Sequence, residues 1–207
     1  MRMENKLIHQ AAENLASRFN RYMGKEGLEL QKLVLGLEIM IINVSKFIII
    51  YLAAFLLGTL WQTVVLHVGY MLVKRYSFGL HALNSTICTL VSCTMFVFIP
   101  RLLQGVGVNS WVVLTAFVPI IVCLYLYAPA DTKARPILGA KLRARLKRKS
   151  VVCGMVLLVI ALIVPDSHVK LLLILSAAYQ CMGILPITYK LLKRSVRNYE
   201  TYERGTA

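Results

Sequence analysis

A histidine and a cysteine lie seven residues apart where a polar segment meets an apolar run. His81 precedes Asn84 and Ser85, and Cys88 follows them inside the apolar run. A cysteine beside a base is suited to acyl transfer, because the base creates or maintains the thiolate that attacks a carbonyl carbon. The pair therefore indicates thiol-dependent nucleophilic chemistry, although a cysteine in an apolar helix is more often a packing residue.

The spacing of the pair constrains the backbone between its members. In one straight helix His81 and Cys88 would share a face but stay about 10 Å apart along the axis, whereas a catalytic hydrogen bond needs about 3 Å or one bridging water. Asn84 and Ser85 are strong N-cap residues, so a helix that starts at either leaves His81 in a loop. Cys88 is then the third or fourth helical residue, where the helix dipole favours a thiolate and free N–H groups could stabilise an oxyanion.

Long apolar runs are the elements that must position this pair. Of the 207 residues, 58% are hydrophobic, and a soluble domain usually has about 45–50%. The excess is concentrated in runs long enough to cross a bilayer, which predicts an all-α, polytopic integral membrane protein. We expect about six transmembrane helices, at 33–57, 59–73, 84–99, 111–127, 151–164 and 169–187.

The polar segments indicate a single domain, 1–207, and its orientation. Residues 1–30 have apolar side chains at helical spacing, which predicts an amphipathic helix in the membrane interface or packed on the protein. Residues 128–150 form a basic loop and 190–207 a basic tail. Basic segments alternate with loops of few positive charges, so the positive-inside rule predicts a multi-pass protein with both termini in the cytosol.

Charge and cysteine usage restrict the partners. The formal net charge is +15, from 24 Lys and Arg against 9 Asp and Glu. Nucleic acid, anionic lipid or an acidic substrate would each suit this excess, but in a membrane protein the positive-inside rule explains most of it, and no nucleic-acid partner is expected. The five cysteines form no CxxC and the chain has no HExxH. A disulfide framework, a metal and other cofactors are therefore not predicted.

The first predicted span is unusual because it carries Glu38, Asn43 and Lys46. Polar and charged residues at membrane depth are costly and usually face a protein interior or a wet cavity. Asn43 and Lys46 are three residues apart and share a helix face, which we expect to point inward, either for a structural hydrogen bond or as part of a site. Glu38 lies nearer the cytosolic end, where it can reach the interface.

Two segments of the chain carry distinctive motifs. The first is Arg75-x-x-x-Gly79-x-His81-Ala82 with Cys88; the second is Tyr127-Ala128-Pro129-Ala130, then Thr132-Lys133, Pro136-Ile137 and a basic run. Both resemble motifs of the AgrB (accessory gene regulator B) family of membrane cysteine peptidases. The resemblance covers nearly the whole chain. Two positions depart from it: Phe78 stands where members often have the first glycine of a pair, and Ala134 interrupts the lysine run.

The resemblance implies an enzyme of the bacterial cell membrane. Cys88 would attack a peptide bond in the C-terminal part of an AgrD-like pro-peptide, with His81 as base and then acid. A thioester acyl-enzyme would form, and a substrate thiol or hydroxyl would close a thiolactone or lactone ring, giving a quorum-sensing peptide. Family analogy also suggests a homodimer.

The basic residues are candidates for holding the acidic tail that such substrates typically carry. Lys133 and Arg135 are expected to contact it, and the basic cluster 141–149 suits either substrate or anionic lipid. We also expect weaker substrate contacts from Arg75, Ser85, Glu38, Asn43 and Lys46. The residue that orients His81 is left open among Glu38, Asn43 and Asp131.

Two non-enzymatic functions remain as alternatives. A small transporter or channel could line a pathway with Glu38, Lys46 and His67, although the chain has no internal repeat. A membrane signalling protein could use the basic loop as a docking surface. Both differ from the enzyme in that neither needs the Cys88 thiol.

Overall fold

The computed structural model describes residues 2–80, 85–132, 136–195 and 198–204. These residues form helices with no strand among them, which confirms the predicted all-α class. The helices are α1 Arg2–Met23, α2 Leu28–Leu56, α3 Leu60–Ser77, α4 Ser85–Cys93, α5 Ile99–Leu102, α6 Ser110–Tyr127, α7 Ala140–Ile163, α8 Ser167–Ile184, α9 Pro186–Leu191 and α10 Tyr199–Arg204. A π-helical segment, Thr94–Phe98, joins α4 to α5.

Three of these helices, α2, α6 and α8, are long and apolar enough to cross a membrane. Together with the shorter apolar helix Thr86–Leu102, they fit a membrane protein. Each of the six predicted runs overlaps at least one described helix. However, the last turn of α3 contains Lys74 and Arg75, and the first turns of α7 are basic. The number of six crossings therefore stays a prediction, as does an interfacial position for α1.

The basic segment predicted as a loop over 128–150 is only partly a loop. Pro129 and Pro136 fall in its first half, which is not helical where the structure describes it. After Gly139, whose φ is +90°, α7 begins at Ala140 and continues without a break to Ile163. The reason is composition, because Ala, Leu, Lys and Arg are all strong helix formers. The basic residues 141–149 are therefore held on a rigid helix.

The chain forms two compact units, 1–53 and 54–207. In the first unit, Ala12 and Ala16 of α1 are buried against Leu37 of α2. His9 of α1 hydrogen-bonds Glu38 of α2. Two small apolar residues of α1 therefore pack on α2.

The second unit is built around α3, α6, α7 and α8. Its core includes Val73, Phe117, Leu124, Leu157 and Ala177, one or more from each of these helices. Small residues allow the helices to approach closely, as is usual between membrane helices. A Cβ atom added at the glycine of α3, residue 69, would lie only 2.4 Å from the Oγ of the serine at 176 in α8.

The π-helical segment supplies a further contact to α3. A π-helical turn disrupts the regular i→i−4 ladder and can free a carbonyl group. Here the Thr63 hydroxyl donates to the Phe96 carbonyl at 2.7 Å. The Phe96 ring stacks on His67, with 4.6 Å between ring centroids. The π-helical segment that follows the Cys88-bearing helix α4 is therefore tied to α3.

The last residue of α3 and the three residues after it, 77–80, form a short segment that we call the strap. Its backbone forms hydrogen bonds with the chain after α6, from Gly79 N–H to Ala130 O at 3.0 Å and from Ala130 N–H to Ser77 O at 2.9 Å. On its other side, Leu80 N–H donates to the Gly183 carbonyl of α8 at 3.0 Å. The strap is thereby fixed between two distant parts of the second unit.

Gln180 of α8 completes the support of the strap. Its side-chain amide nitrogen donates to Ser77 Oγ and to the Phe78 carbonyl, each at 2.7 Å. Gln180 is buried, so these bonds satisfy a polar group that would otherwise be costly inside the protein. One side chain therefore orders two consecutive residues of the strap.

Replacing Gly79 by alanine tests the strap. Gly79 has a φ of +109°, and its Cβ would lie 2.7 Å from the Gly183 carbonyl oxygen. We expect Gly79→Ala to lower the free energy of unfolding by roughly 1–3 kcal/mol, because the backbone is strained at that φ. Thermal unfolding of the detergent-purified protein measures the change.

Gly183→Ala is the matched control. A Cβ at Gly183 meets open space, and alanine favours a helix, so the melting temperature should not fall. An equal loss of stability in both variants would show that the strap contact is not the cause.

Candidate functional site

Cys88 is the fourth residue of α4 as the structure describes it. Its thiol is free and half-buried. The residues directly before Ser85 lie outside the described part of the chain, so the N-cap expected at Asn84 or Ser85 stays a prediction.

Several predicted site residues lie outside the described residues. They are His81, Lys133 and Arg135, together with the side chain of Ser85. The strap ends at Leu80, the residue directly before His81, so the backbone is anchored up to the point where His81 begins. The catalytic distance between His81 and Cys88 stays a prediction.

The strap brings the two sequence motifs together. Phe78 and Ala130 form an isolated parallel bridge, so the segment before His81 is hydrogen-bonded to the segment that starts with Tyr127. Ala128 is buried at this junction. This pairing could not be predicted from the sequence, because a single bridge between helices has no periodic pattern. Gln180 was missed as well, although an amide in an apolar helix is a signal that it has a buried partner.

Asp131 does not face solvent as a loop acid usually does. It is buried, and its two carboxylate oxygens accept the N–H groups of Asn198 at 3.0 Å and Tyr199 at 2.7 Å. The hydroxyl of Tyr189 donates to the Asp131 carbonyl at 3.0 Å, and burial raises the pKa of Tyr189 to about 12. The Asp131 carboxylate, one of the candidates to orient His81, is thus hydrogen-bonded to the backbone at the start of α10.

A second contact holds α10 against α7. Arg143 donates two hydrogen bonds to Glu203, at 2.6 Å to Oε1 and 3.2 Å to Oε2. Glu203 also accepts the Gly139 N–H at 3.0 Å, and the Arg143 guanidinium lies 3.9 Å from the ring centroid of Tyr199. The hydrogen bonds from Arg143 lower the pKa of Glu203 from its usual range, so the ion pair persists at neutral pH.

A cavity of about 390 Å³ lies between these contacts and the second motif. Its lining combines aromatic rings, prolines, two basic residues and one acidic residue, among them Tyr127, Pro129, Asp131, Arg143, Lys147, Tyr189 and Tyr199. A cavity of this size can take one or two side chains of a ligand. Residues 127–130 of the second motif form part of its lining.

Other basic residues near the cavity are arranged around tyrosines. Lys147 Nζ lies 4.9 Å from the ring centroid of Tyr125. Arg75 and Lys149 approach the ring of Tyr76 at 5.7 Å and 5.2 Å. Arg75, a predicted substrate contact, is exposed at the end of α3 and lies close to the basic turns of α7.

The polar residues of the first predicted span lie in the first unit. Glu38 is half-buried and bonded to His9; Asn43 is exposed and Lys46 half-buried. Within the described ranges, no group of three or more His, Cys, Asp or Glu side chains could hold a metal ion. The site described here therefore consists of one thiol, a hydrogen-bonded backbone support and a basic, aromatic cavity.

Comparison with known proteins identifies the family to which this chain belongs. The sequence profile of the accessory gene regulator B family matches residues 12–184. An AgrB-like protein of Listeria innocua is 46% identical over 172 residues, which cover 83% of this chain and 84% of the relative. An AgrB-like protein of Clostridium acetobutylicum is 39% identical over 204 residues, covering 99% and 98%.

A third relative carries the family's full name. The accessory gene regulator protein B of Staphylococcus haemolyticus is 32% identical over 184 residues, which cover 89% of this chain and 97% of the relative. No solved structure matched the chain. Since the profile spans most of the chain and relatives cover nearly all of it, this protein is a member of the accessory gene regulator B (AgrB) family.

Proposed function

We propose that this protein is a membrane cysteine endopeptidase that cleaves the C-terminal part of an AgrD-like pro-peptide and promotes closure of a thiolactone or lactone ring. One observation carries the proposal: the free, half-buried Cys88 thiol lies in the first turns of α4. It follows the anchored strap after a gap of only a few residues. Membership of the AgrB family, which suggests a role in the agr system, is consistent with this.

In the first step, the Cys88 thiolate attacks the carbonyl carbon of the scissile peptide bond. The oxyanion that forms can be stabilised by backbone N–H groups of the first turn of a helix. His81 takes the thiol proton and then gives it to the leaving amine. The C–N bond breaks, and the products are a thioester on Cys88 and a released tail.

In the second step, a thiol or hydroxyl within the substrate attacks the thioester carbonyl. His81 accepts its proton, the C–S bond to Cys88 breaks, and the thiolate returns to its starting state. Exchange between a thiol and a thioester is nearly balanced, because the two sulfurs are similar. The first step is uphill on chemical grounds, so removal of the tail or export of the product must draw the reaction forward.

The arrangement in the membrane is part of the same proposal. Six crossings with both termini in the cytosol would place the strap, Cys88 and the basic turns of α7 on the cytosolic side. Lys133, Arg135 and the cluster 141–149 would attract an acidic substrate tail, and the same cluster would attract anionic lipid. A homodimer is proposed from family analogy alone.

Substitution of the thiol tests the enzyme directly. In cells that express this protein with its candidate pro-peptide, we expect Cys88→Ala and His81→Ala to lower cleavage by at least about a thousandfold, because each removes a group that acts in the chemical step. Mass spectrometry of the peptide measures cleavage. Cys93→Ala should keep it, since Cys93 lies five residues further along the same apolar helix.

The outcomes distinguish the enzyme from the two non-enzymatic alternatives. Wild-type protein should also yield a hydroxylamine-sensitive substrate adduct on Cys88, as a thioester requires. Cleavage that survives in membrane-inserted Cys88→Ala would contradict the assignment of the nucleophile and favour a transporter or a signalling protein.

Cysteine labelling tests the orientation. Val106 and Leu138 are similarly exposed, at 44% and 49%, in loops that the proposal puts on opposite sides of the membrane. A membrane-impermeant maleimide should label Val106→Cys in intact cells above the parent's background. It should label Leu138→Cys only after permeabilisation, and the reverse pattern would invert the proposed topology.

A further inference from the structure

One of the two basic side chains that line the cavity of the second unit is paired with an acidic side chain of the same chain. Arg143, which lines the cavity, is only 21% exposed, and its guanidinium group is engaged by Glu203. Lys147 also lines the cavity. In the part of the chain that the structure describes, no carboxylate lies within ion-pairing distance of Lys147. One of the two basic groups therefore has an internal acid and the other has none.

The lining suits a peptide. The cavity measures about 390 Å³, within the usual range of small-ligand sites. Tyr127, Tyr189 and Tyr199 offer aromatic faces with polar ends, and the two basic groups would pair with carboxylates. A segment with apolar and acidic side chains in succession would match both parts of this surface.

The ion pair made by Glu203 is open to solvent. Glu203 accepts hydrogen bonds from Arg143 and from the Gly139 N–H. Tyr199 of the same helix donates its N–H to the Asp131 carboxylate and lies against the Arg143 guanidinium. Glu203 is 40% exposed, and ion pairs that reach solvent contribute little to stability. A competing carboxylate could therefore displace Glu203 at a small cost.

We propose that this cavity binds an acidic peptide segment, and that in the free protein α10 competes with this ligand, because Glu203 holds the Arg143 guanidinium that the ligand's carboxylate would bind. The inference rests on the proposed function in one respect, since the ligand it commits to is the acidic tail of the peptide substrate. Exchange of one carboxylate for another leaves Arg143 paired before and after binding, so no charge is left buried alone. A second ligand carboxylate would pair with Lys147.

Binding is measured without catalysis. The full chain carrying Cys88→Ala is placed in nanodiscs of phosphatidylcholine, and the probe is a dye-labelled synthetic peptide of alternating Glu and Leu, followed by fluorescence anisotropy. We expect Glu203→Gln to tighten the dissociation constant about two- to fivefold, because it removes the competing charge of an exposed ion pair. Glu200→Gln removes the same charge from the same helix and should leave the dissociation constant unchanged.

Two further variants test the cavity itself. Lys147→Gln should weaken binding about two- to fivefold, and it does not alter α10. Arg143→Gln should weaken binding and abolish the gain from Glu203→Gln in the double variant. Lys190→Gln removes a charge beside the cavity residue Tyr189 from a side chain that does not line the cavity, and should have no effect.

Three results would overturn the proposal. The first is unchanged or weaker binding in a Glu203→Gln variant that keeps the parent's melting temperature, which would make Glu203 a structural residue only. The second is equal weakening by Lys147→Gln and Lys190→Gln, which would indicate a diffuse basic surface. The third is complete loss of peptide binding when phosphatidylglycerol is added to the nanodisc, which would assign the cavity to a lipid headgroup.

The assay also separates this inference from the proposed function. The Cys88→Ala background makes binding independent of peptide cleavage. If wild-type protein cleaves no pro-peptide but the binding changes occur as expected, the peptidase proposal fails and the cavity site stands. If cleavage is confirmed but the dissociation constant does not change in the Glu203 and Lys147 variants, only the cavity assignment fails.

Discussion

The hydrogen bonds of the strap determine how the rest of the second unit is arranged. The chain leaves the helical path after Ser77. The Phe78 N–H still donates to the Lys74 carbonyl, but the N–H groups of Gly79 and Leu80 need partners outside α3. Inside a membrane protein such groups must be satisfied by the protein itself. Ala130, Gly183 and Gln180 provide these partners, and in doing so they join α3, the chain after α6 and the end of α8. The chain enters the predicted catalytic segment from this fixed point.

The positive charge of this protein is organised by specific contacts. Arg143 is paired with an acid, Lys147 lies against a tyrosine ring, and Arg75 and Lys149 approach one ring from two helices. Because α7 is helical from Ala140, these groups are held in fixed positions, which a flexible loop could not do. The cavity beside them lies next to the segment that supports the strap. Substrate recognition and the proposed chemistry can thus share one framework.

Much of the fold and part of the site could be predicted from local patterns. Every predicted apolar run overlaps at least one described helix, and Cys88 lies on a helix, α4. The extent of the basic loop was overestimated, because its second half consists of strong helix formers. The roles of Gln180 and Asp131 were not predicted. Both act through partners about 70 to 100 positions away along the chain, and spacing along the chain does not reveal such partners.

The sequence by itself therefore determined local features. These are the helical segments, the apolar segments, the places where charge accumulates, and the apolar run that carries Cys88. Each of these follows from the residue types within a few turns of one helix. The tertiary structure alone decided the pairing of the strap with Ala130 and Gly183, the engagement of Asp131 by α10, and the occupation of Arg143 by Glu203. These contacts depend on how packed helices bring distant backbone and polar groups within about 3 Å of each other, and no local pattern encodes that distance.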